Sequence, residues 1–294
     1  MNIWIKRGLQ LVLVLLLALA VLIAVSLWLG EQKRTRTVPV QVKAITVPSD
    51  AAALERGRYL FASRGCAECH GANGAGTTFI DDGKGMKVSA PNISPGAGNV
   101  VAAYKTEDWV RVIRHGVKPS GQPVFIMPSE DYNRMTDADA GALIAYAKSL
   151  APGLGKAAAF ELPLPVRVLY GLGQIPDAAS RIDHSLPPAT PVAEGVTVEH
   201  GLYVAQMCKG CHGDQFAGGK VPGGPPDWPP AARLSPGADS VMARYADAET
   251  FKKMFKTGKR ADGSAVAVMP FATLREMSEV DVVALHMYLK SLQR

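Results

Sequence analysis

A Cys-x-x-Cys-His motif that occurs twice constrains this chain more than any other feature of its sequence. The six residues are Cys66, Cys69, His70, Cys208, Cys211 and His212. The two motifs use all four cysteines of the 294-residue chain, so we expect no disulfide bond. A chain of this length predicts about two domains, which is one for each motif.

The offset in numbering that takes Cys66 to Cys208 also relates many other positions. It carries Gly116 to Gly258, Met127-Pro128 to Met269-Pro270, and residues 148–150 to residues 290–292. An offset held from residue 66 to residue 150 indicates a duplication, and two copies are too few for a solenoid, which needs at least about three. We therefore predict two repeated domains, unit 1 (residues 51–152) and unit 2 (residues 194–294).

Hydrophobic periodicity predicts that both units are helical. The clearest helices are 136–150 and 278–292, because each begins with Thr or Ser, continues with acidic residues and carries an i, i+3, i+4 apolar stripe. Shorter helices are predicted at residues 52–63, 106–115, 198–207 and 249–257. The Gly- and Pro-rich stretches 71–99 and 213–239 lack a strand pattern and are predicted to be loops. The predicted fold class is all-α.

Two further segments connect these units to each other and to the N-terminus. Residues 31–50 are polar and are predicted to be a tether. Residues 153–193 form a proline-rich connector, and seven of the 21 prolines lie within 151–193, which excludes a long helix there. This connector is too apolar for a free linker, so we expect one short amphipathic turn at 165–172 and packing along a domain surface.

The uncharged apolar run from Leu9 to Leu29 predicts a transmembrane helix. A helix of this length would span about 31 Å, which matches a hydrocarbon core of about 30 Å. A cleaved signal peptide is the alternative, but its apolar core would be about 7–15 residues long and would end at a small-residue cleavage site. We expect an uncleaved anchor over residues 1–30, with residues 9–29 in contact with the membrane.

The net charge of +6 comes mostly from residues beside this apolar run. Five of the 32 basic residues and one of the 26 acidic residues flank it, which leaves 27 basic and 25 acidic residues elsewhere. A nucleic-acid-binding protein would instead carry a basic patch or stripe on its folded domain. We therefore expect no nucleic-acid partner.

The spacing of the Cys-x-x-Cys-His motif is typical of covalent haem c attachment. Two thiols at this spacing reach the two vinyl groups of one porphyrin edge, and the adjacent histidine then points at the iron. The alternatives are a zinc site, built from the four cysteines or from each cysteine pair with its histidine, and a thioredoxin-like redox pair. A redox pair would accompany a βαβ pattern, which the sequence lacks. We predict two covalently attached haem c groups.

A methionine follows each motif histidine at the same distance and is the predicted second iron ligand. Met127 lies 57 residues after His70, and Met269 lies 57 residues after His212. Each methionine precedes a proline after a Gly-containing loop, and Met/His ligation raises the potential of a haem. Core packing is the alternative for any methionine, and His115 is a competitor for the first iron.

Other residues are assigned supporting roles around these ligands. We expect a backbone carbonyl from the loop 90–96, and from its repeat 232–237, to hold the second ring nitrogen of each ligating histidine. Trp109 could reach a haem propionate, as could Arg111, but a core position is favoured for the indole. Met135 and Met277 are expected to pack. The histidines without a repeat partner are predicted to be surface or packing residues: His184, His200 and His286.

Each unit resembles class I cytochrome c. Gly-Arg-Tyr-Leu-Phe precedes the first motif, and residues 143–150 (Leu-Ile-Ala-Tyr-Ala-Lys-Ser-Leu) form the last helix. The segments Pro91-Asn-Ile-Ser-Pro95 and Met135-Thr-Asp-Ala-Asp139 are similar to the multihaem cytochrome c subunits of bacterial membrane-bound alcohol and gluconate dehydrogenases. The resemblance covers about residues 51–294 and implies two tandem class I cytochrome c domains after the transmembrane helix. Those subunits usually carry three haem units, whereas this chain has two motifs.

The predicted function is electron transfer without substrate chemistry. Two irons that are each held by His and Met have no open coordination site, so we expect no enzyme activity. The resemblance implies a dehydrogenase or quinol-side donor and a cytochrome or oxidase acceptor. It also implies attachment to the bacterial inner membrane by a single span, with both haem units in the periplasm. The alternatives are a dihaem enzyme, such as a peroxidase or thiosulfate dehydrogenase, and a structural subunit.

Overall fold

A computed structural model describes residues 3–155, 157–225 and 227–293, and this part of the chain is mostly helical. The first helix is α1 (Ile3–Thr35). Unit 1 contains α2 (Ala51–Ser63), α3 (Cys66–His70), α4 (Thr106–His115), α5 (Ser129–Tyr132) and α6 (Asp137–Ser149). The connector contributes α7 (Leu164–Gly171). Unit 2 contains α8 (Val198–Ala205), α9 (Lys209–His212), α10 (Ala248–Thr257), α11 (Phe271–Leu274) and α12 (Glu279–Ser291).

The last helix of each unit begins where the sequence predicts. The hydroxyl of Thr136 accepts a hydrogen bond from the Asp139 amide at 3.1 Å, and Ser278 accepts one from the Asp281 amide at the same distance. These caps satisfy backbone N–H groups that the first helical turn leaves without a partner. The helices predicted at 136–150 and 278–292 are therefore confirmed.

The first and last helices of each unit cross at very short range. At Gly57 on α2, a Cβ atom would collide with the backbone oxygen of Ala142 on α6. At Gly201 on α8, it would collide with the backbone oxygen of Ala284 on α12. The crossing closes a separate apolar core in each unit, with buried Leu60 and Ile144 in the first and Leu285 in the second.

A small antiparallel sheet departs from the all-α prediction. Strand β1 (Thr78–Asp81) pairs with β2 (Lys87–Ser89), and β2 pairs with β3 (Ala159–Glu161) from the connector. Strands of three or four residues are too short to show an alternating pattern in the sequence. The third strand also comes from a segment beyond the end of unit 1, so the sequence of 71–99 predicts a loop only.

The predicted tether and connector both lie against the folded units. Helix α1 extends to Thr35, beyond the predicted end of the anchor, and the amide of Val38 donates to the Gly121 oxygen at 2.9 Å. Val42 and Val47 then pack on the core of unit 1, so residues 31–50 are not a free tether. The predicted turn at 165–172 is confirmed as α7, which packs on α1.

We expect Gly57→Ala to lower the free energy of unfolding by about 1–3 kcal/mol, because the added methyl group must push the α2 and α6 backbones apart. Gly201→Ala should have a similar effect in unit 2. The measurement is guanidinium unfolding of the full chain in detergent, followed by circular dichroism. Gly195→Ala is the control, since the nearest neighbour of its Cβ would be 3.9 Å away. Equal stability of all three variants would contradict the prediction.

Candidate functional site

The first motif lies on the single helical turn α3, and its histidine is held by a backbone carbonyl. His70 Nδ1 is 2.9 Å from the oxygen of Pro91. A carbonyl oxygen only accepts hydrogen bonds, so Nδ1 carries the proton and Nε2 has the lone pair that binds a metal. Burial lowers the pKa of His70, which keeps the imidazole neutral and able to coordinate.

A glycine turn brings the carbonyl-bearing loop up to this histidine. Gly76 has a φ of +82° and donates its amide to the His70 oxygen at 2.8 Å. A Cβ atom there would lie 2.5 Å from the oxygen of Ala90, so only glycine lets the loop approach this closely. Thr77 adds a hydrogen bond from its hydroxyl to the Cys69 oxygen at 2.7 Å.

The second motif repeats this arrangement almost atom for atom. His212 Nδ1 is 2.8 Å from the oxygen of Ala232, and Gly218 donates its amide to the His212 oxygen at 2.9 Å. The predicted loops 90–96 and 232–237 therefore do supply the carbonyls that hold both rings. Both histidines consequently present Nε2, the ring nitrogen that is not held by the loop.

The motif cysteines are not placed for thiolate chemistry. Burial raises the pKa of Cys66 to about 12, of Cys69 to about 11 and of Cys208 to about 12. A redox-active cysteine needs a lowered pKa, so that it is a thiolate near neutral pH. The raised pKa values therefore disfavour the thioredoxin-like alternative. Within residues 3–155, 157–225 and 227–293, no three His, Cys, Asp or Glu side chains converge on a metal-sized site.

Each candidate methionine packs on the same apolar core as the motif of its unit. Met127 and Cys66 both contact the core of unit 1, and Met269 and Cys208 both contact the core of unit 2. All four side chains are half-buried. The fold thus brings each methionine and its motif to one core, although the two are far apart in the sequence.

The loops that carry these methionines have the same hydrogen bonds in both units. Val124 donates its amide to the Gly116 oxygen at 2.7 Å, and Val266 donates to the Gly258 oxygen at 2.9 Å. The Met127 oxygen accepts from the amide two residues later at 2.7 Å, and the Met269 oxygen does so at 2.8 Å. The loop conformation is therefore repeated together with the sequence.

The competing residues lie in the core or bind other partners. Met135 and Met277 are 6% and 1% exposed, as expected of packing residues. His115 Nδ1 is 3.1 Å from Nδ1 of His184, and burial lowers its pKa to about 4. His286 is buried and hydrogen-bonded to the Tyr245 oxygen at 2.9 Å.

Trp109 occupies a core position, which confirms the favoured prediction, but it keeps one unused donor. Its side chain is 6% exposed and belongs to the core of unit 1. The indole Nε1 is buried with no hydrogen-bond partner in the described structure. Arg111 pairs with Asp108 at 2.6 Å, and Phe251 replaces the indole in unit 2. A buried donor without a partner is costly in a finished core, so this atom points to a missing acceptor.

Sequence reasoning missed a reciprocal contact between the two units. The hydroxyl of Tyr59 donates to Asp281 Oδ2 at 2.6 Å, and the hydroxyl of Tyr203 donates to Asp139 Oδ2 at 2.7 Å. Each tyrosine thus reaches across to the last helix of the other unit. Each aspartate also binds a basic side chain of its own unit at 2.8 Å: Asp139 binds Arg56, and Asp281 binds His200.

A buried arginine makes this contact asymmetric. Arg64 of unit 1 lies 2.9 Å from Asp281, and both side chains are almost fully buried. Burial works to raise the pKa of Asp281, but the charge of Arg64 and the hydrogen bonds of Tyr59 and Arg64 hold it below its usual value. The carboxylate is therefore ionised and ties unit 2 to unit 1.

A second reciprocal contact joins each motif to the other unit. Glu68, between the cysteines of the first motif, accepts from the Thr273 hydroxyl at 2.8 Å. Gly210, at the same place in the second motif, donates its amide to Asp131 at 2.7 Å. The offset between the motifs relates Glu68 to Gly210 and Asp131 to Thr273. The two motifs therefore both lie at the contact between the units.

Comparison with known proteins bears on the first unit directly. Residues 52–146 match the family described as cytochrome C oxidase, cbb3-type, subunit III. Unit 1 contains a cytochrome c domain. The matched segment starts in α2 and ends in α6, so it includes the motif, the carbonyl loop and the methionine loop of unit 1.

Similarity to known cytochrome subunits extends over most of the chain. It is 27% identical over 274 residues to the fructose dehydrogenase cytochrome subunit of Gluconobacter japonicus, covering 84% of this chain and 54% of that protein. It is 26% identical over 271 residues to the cytochrome c subunit of the quinone-dependent alcohol dehydrogenase of Gluconobacter oxydans (83% and 55%). It is 23% identical over 273 residues to the gluconate 2-dehydrogenase cytochrome c subunit of Pantoea cypripedii (82% and 60%).

These comparisons confirm the resemblance to the cytochrome c subunits of membrane-bound dehydrogenases. The chain spans little more than half the length of these relatives. The aligned stretches cover more than four-fifths of the chain, so the similarity is not confined to unit 1.

We expect Asp281→Asn to lower the free energy of unfolding by about 3–5 kcal/mol, because it leaves the buried Arg64 guanidinium without a counter-charge. The measurement is chemical unfolding of the purified full chain. Glu55→Gln is the control, since this carboxylate pairs with Arg58 on the open surface and both side chains are more than half exposed. A loss in Asp281→Asn no larger than that in Glu55→Gln would show that the interunit pair contributes little.

Asp131 should give the protein a pH-dependent stability. Burial, together with the neighbouring Glu130, raises the pKa of Asp131 to about 8 from 3.8. Between these values the folded protein keeps a proton that the unfolded chain releases, so the free energy of unfolding falls as pH rises, by up to about 1.4 kcal/mol per pH unit. Asp131→Asn should remove this slope between pH 5 and pH 8, whereas the exposed control Asp82→Asn should keep it. Parallel slopes for wild type and Asp131→Asn would refute the assignment.

Proposed function

We propose that this chain is a membrane-anchored dihaem cytochrome c that transfers electrons between a dehydrogenase or quinol-side donor and a respiratory acceptor. One observation carries the proposal. In both motifs a backbone carbonyl holds Nδ1 of the histidine, which leaves Nε2 for iron beside the two cysteines of the motif. The cytochrome c domain in residues 52–146 supports this assignment for unit 1.

The residues present fit two haem c groups. In unit 1, Cys66 and Cys69 would form the thioether bonds, with His70 and Met127 as iron ligands. In unit 2, the same roles fall to Cys208, Cys211, His212 and Met269. The unpartnered indole donor of Trp109 supports the fit, because a haem propionate is an acceptor of the kind it lacks. When bound, such a group supplies a one-electron redox centre.

Unit 2 is proposed to be a second cytochrome c domain, with unit boundaries at 51–152 and 194–294. The support is the repeated hydrogen bonding at the same offset: the carbonyl-held histidine, the glycine turn after it and the methionine loop. The similarity to the dehydrogenase subunits also continues across this unit.

Electron transfer, and not catalysis, is the activity that these residues support. A histidine and a methionine would hold each iron, which would leave no position free for a substrate. The two motifs lie at the contact between the units, through Glu68–Thr273 and Asp131–Gly210, which favours direct exchange between two haems. The named relatives are cytochrome subunits of dehydrogenases, which supports a dehydrogenase as the partner.

We also propose that residues 1–30 are a retained anchor and that both units lie on the periplasmic side of the bacterial inner membrane. Helix α1 is long and apolar enough to cross a membrane. Ser26 and Gly30 are buried against the connector, which supports a retained anchor. Lys6 and Arg7 precede the apolar run but Lys33, Arg34 and Arg36 follow it, so the proposed orientation rests on the resemblance to cytochrome c subunits and not on the flanking charges.

The test is spectroscopy and mass spectrometry of the purified full-length protein. We expect two covalently attached haems, both low-spin. The oxidised protein should show a near-infrared sulfur-to-iron band, and Met127→Ala or Met269→Ala should each remove about half of it while lowering the potential of one haem. Met135→Leu is the matched control, because this methionine is buried in the core.

Three outcomes would contradict the proposal. A single attached haem would exclude the role given to unit 2. A full-strength near-infrared band in Met127→Ala would exclude that ligand. A high-spin haem with rapid peroxide turnover in the wild-type protein would favour the dihaem enzyme instead.

A further inference from the structure

Along helix α1, burial is confined to one place. Among its described residues only Ser26 and Gly30 are buried, and Ile23 and Leu27 beside them are half-buried, whereas Leu22, Val25 and Leu29 are exposed. The connector helix α7 covers this place. A Cβ atom on Gly171 would collide with the Ser26 backbone oxygen, and one on Gly30 would lie 3.5 Å from Tyr170. The two backbones are therefore in direct contact.

The contact continues along the end of α1 through charged groups. Lys33 Nζ donates to the Ile175 oxygen at 2.7 Å and lies 4.2 Å from the centre of the Tyr170 ring. Arg36 makes two hydrogen bonds of 2.7 Å to Asp177, whose side chain is fully buried. Residues 170–177 thus follow α1 from Ser26 to Arg36, and α7 cannot separate from the anchor without breaking these bonds.

This attachment sets the depth of α7 relative to a membrane. The apolar run ends at Leu29, so Ser26 lies three residues, or about 4.5 Å, inside its end. Helix α7 has eight residues and is about 12 Å long. Its last residue, Gly171, contacts Ser26 and therefore lies about 4.5 Å inside the end of the apolar run. Arg167, one turn earlier, lines a groove with Glu31 and Arg34, which follow that run, so α7 extends from this depth towards the headgroups.

The side of α7 away from the anchor is apolar and exposed. Leu164, Leu169 and Leu172 are 47%, 40% and 44% exposed. With Pro165 and Val168 they occupy an arc of about 140° at the helical period. On the other side of α7, Tyr170 and the 43% exposed Phe160 line an open groove of about 270 Å³ beside Leu27 of α1.

We propose that this face of α7, defined by Leu164, Leu169 and Leu172, is inserted into the interfacial region of the lipid bilayer beside α1. The inference rests on the proposed role of residues 9–29 as the anchor. The bilayer is the occupant because these contacts hold α7 against α1 at the end of the apolar run, so the exposed leucines lie at the depth of the membrane surface. An interfacial helix buries its apolar side in the region where headgroups meet acyl chains. The connector between the units is thereby a second membrane contact, which holds both units at a constant height.

The experiment is site-directed spin labelling of the full-length protein in phosphatidylcholine vesicles. The four native cysteines are bound to haem in the proposed protein, so Leu169→Cys introduces one reactive thiol. With the haems reduced, we expect the nitroxide to collide more readily with oxygen than with a water-soluble nickel chelate. Leu22→Cys, on the apolar surface of α1, is the lipid reference, and Leu202→Cys, 44% exposed on α8, is the aqueous reference.

Each result decides the inference. A ratio of oxygen to nickel accessibility near that of Leu22→Cys supports it, and a ratio near that of Leu202→Cys overturns it while leaving the anchor intact. Protection of Leu169→Cys from both reagents also overturns it, because a protein surface then covers the face. An aqueous ratio at Leu22→Cys would instead refute the anchor. The reduced haem spectrum of each variant verifies that the protein is folded.

Discussion

The close crossing of the first and last helices in each unit is the constraint on which the rest of the structure depends. Glycine at positions 57 and 201 lets two helical backbones touch, which no larger residue would allow. The crossing closes each core and directs each first helix towards its Cys-x-x-Cys-His motif. It also places Tyr59 and Tyr203, each just beyond its glycine, at the surface where the units meet.

The contact between the units has approximate twofold character but unequal electrostatics. Asp139 is buried but pairs with Arg56, which is partly exposed, and with Tyr203, whereas Asp281 is fully buried with Arg64, Tyr59 and His200. Removing two charges from water costs about as much free energy as their attraction returns, so a buried ion pair adds little net stability. Separating the pair leaves each charge buried without a partner, so the pair specifies one arrangement of the units. For two proposed redox centres, a single fixed arrangement means a single distance for electron exchange.

The anchor is also part of this rigid arrangement. Helix α1 does not end in a flexible tether, because Ser26, Gly30 and Arg36 bind the connector and residues 38–47 pack along unit 1. The connector in turn adds a strand to the sheet of unit 1. Helix α1, the connector and the units are therefore linked by packed contacts, and the proposed haems would keep a constant position relative to α1.

Local patterns in the sequence determined the motifs, the cap-initiated helices, the apolar anchor run and the loops whose carbonyls hold the histidines. All of these depend on residues close together in the chain or on an exact repeat. Tertiary structure alone decided the interunit contacts, because Tyr59 and Asp281 are 222 residues apart and neither has a local signal. The repeat does not predict these contacts either, because the offset that relates the two motifs takes Tyr59 to Gly201 and not to Tyr203. Strand β3 and the burial of Ser26 likewise depend on partners from distant segments, which no local periodicity encodes.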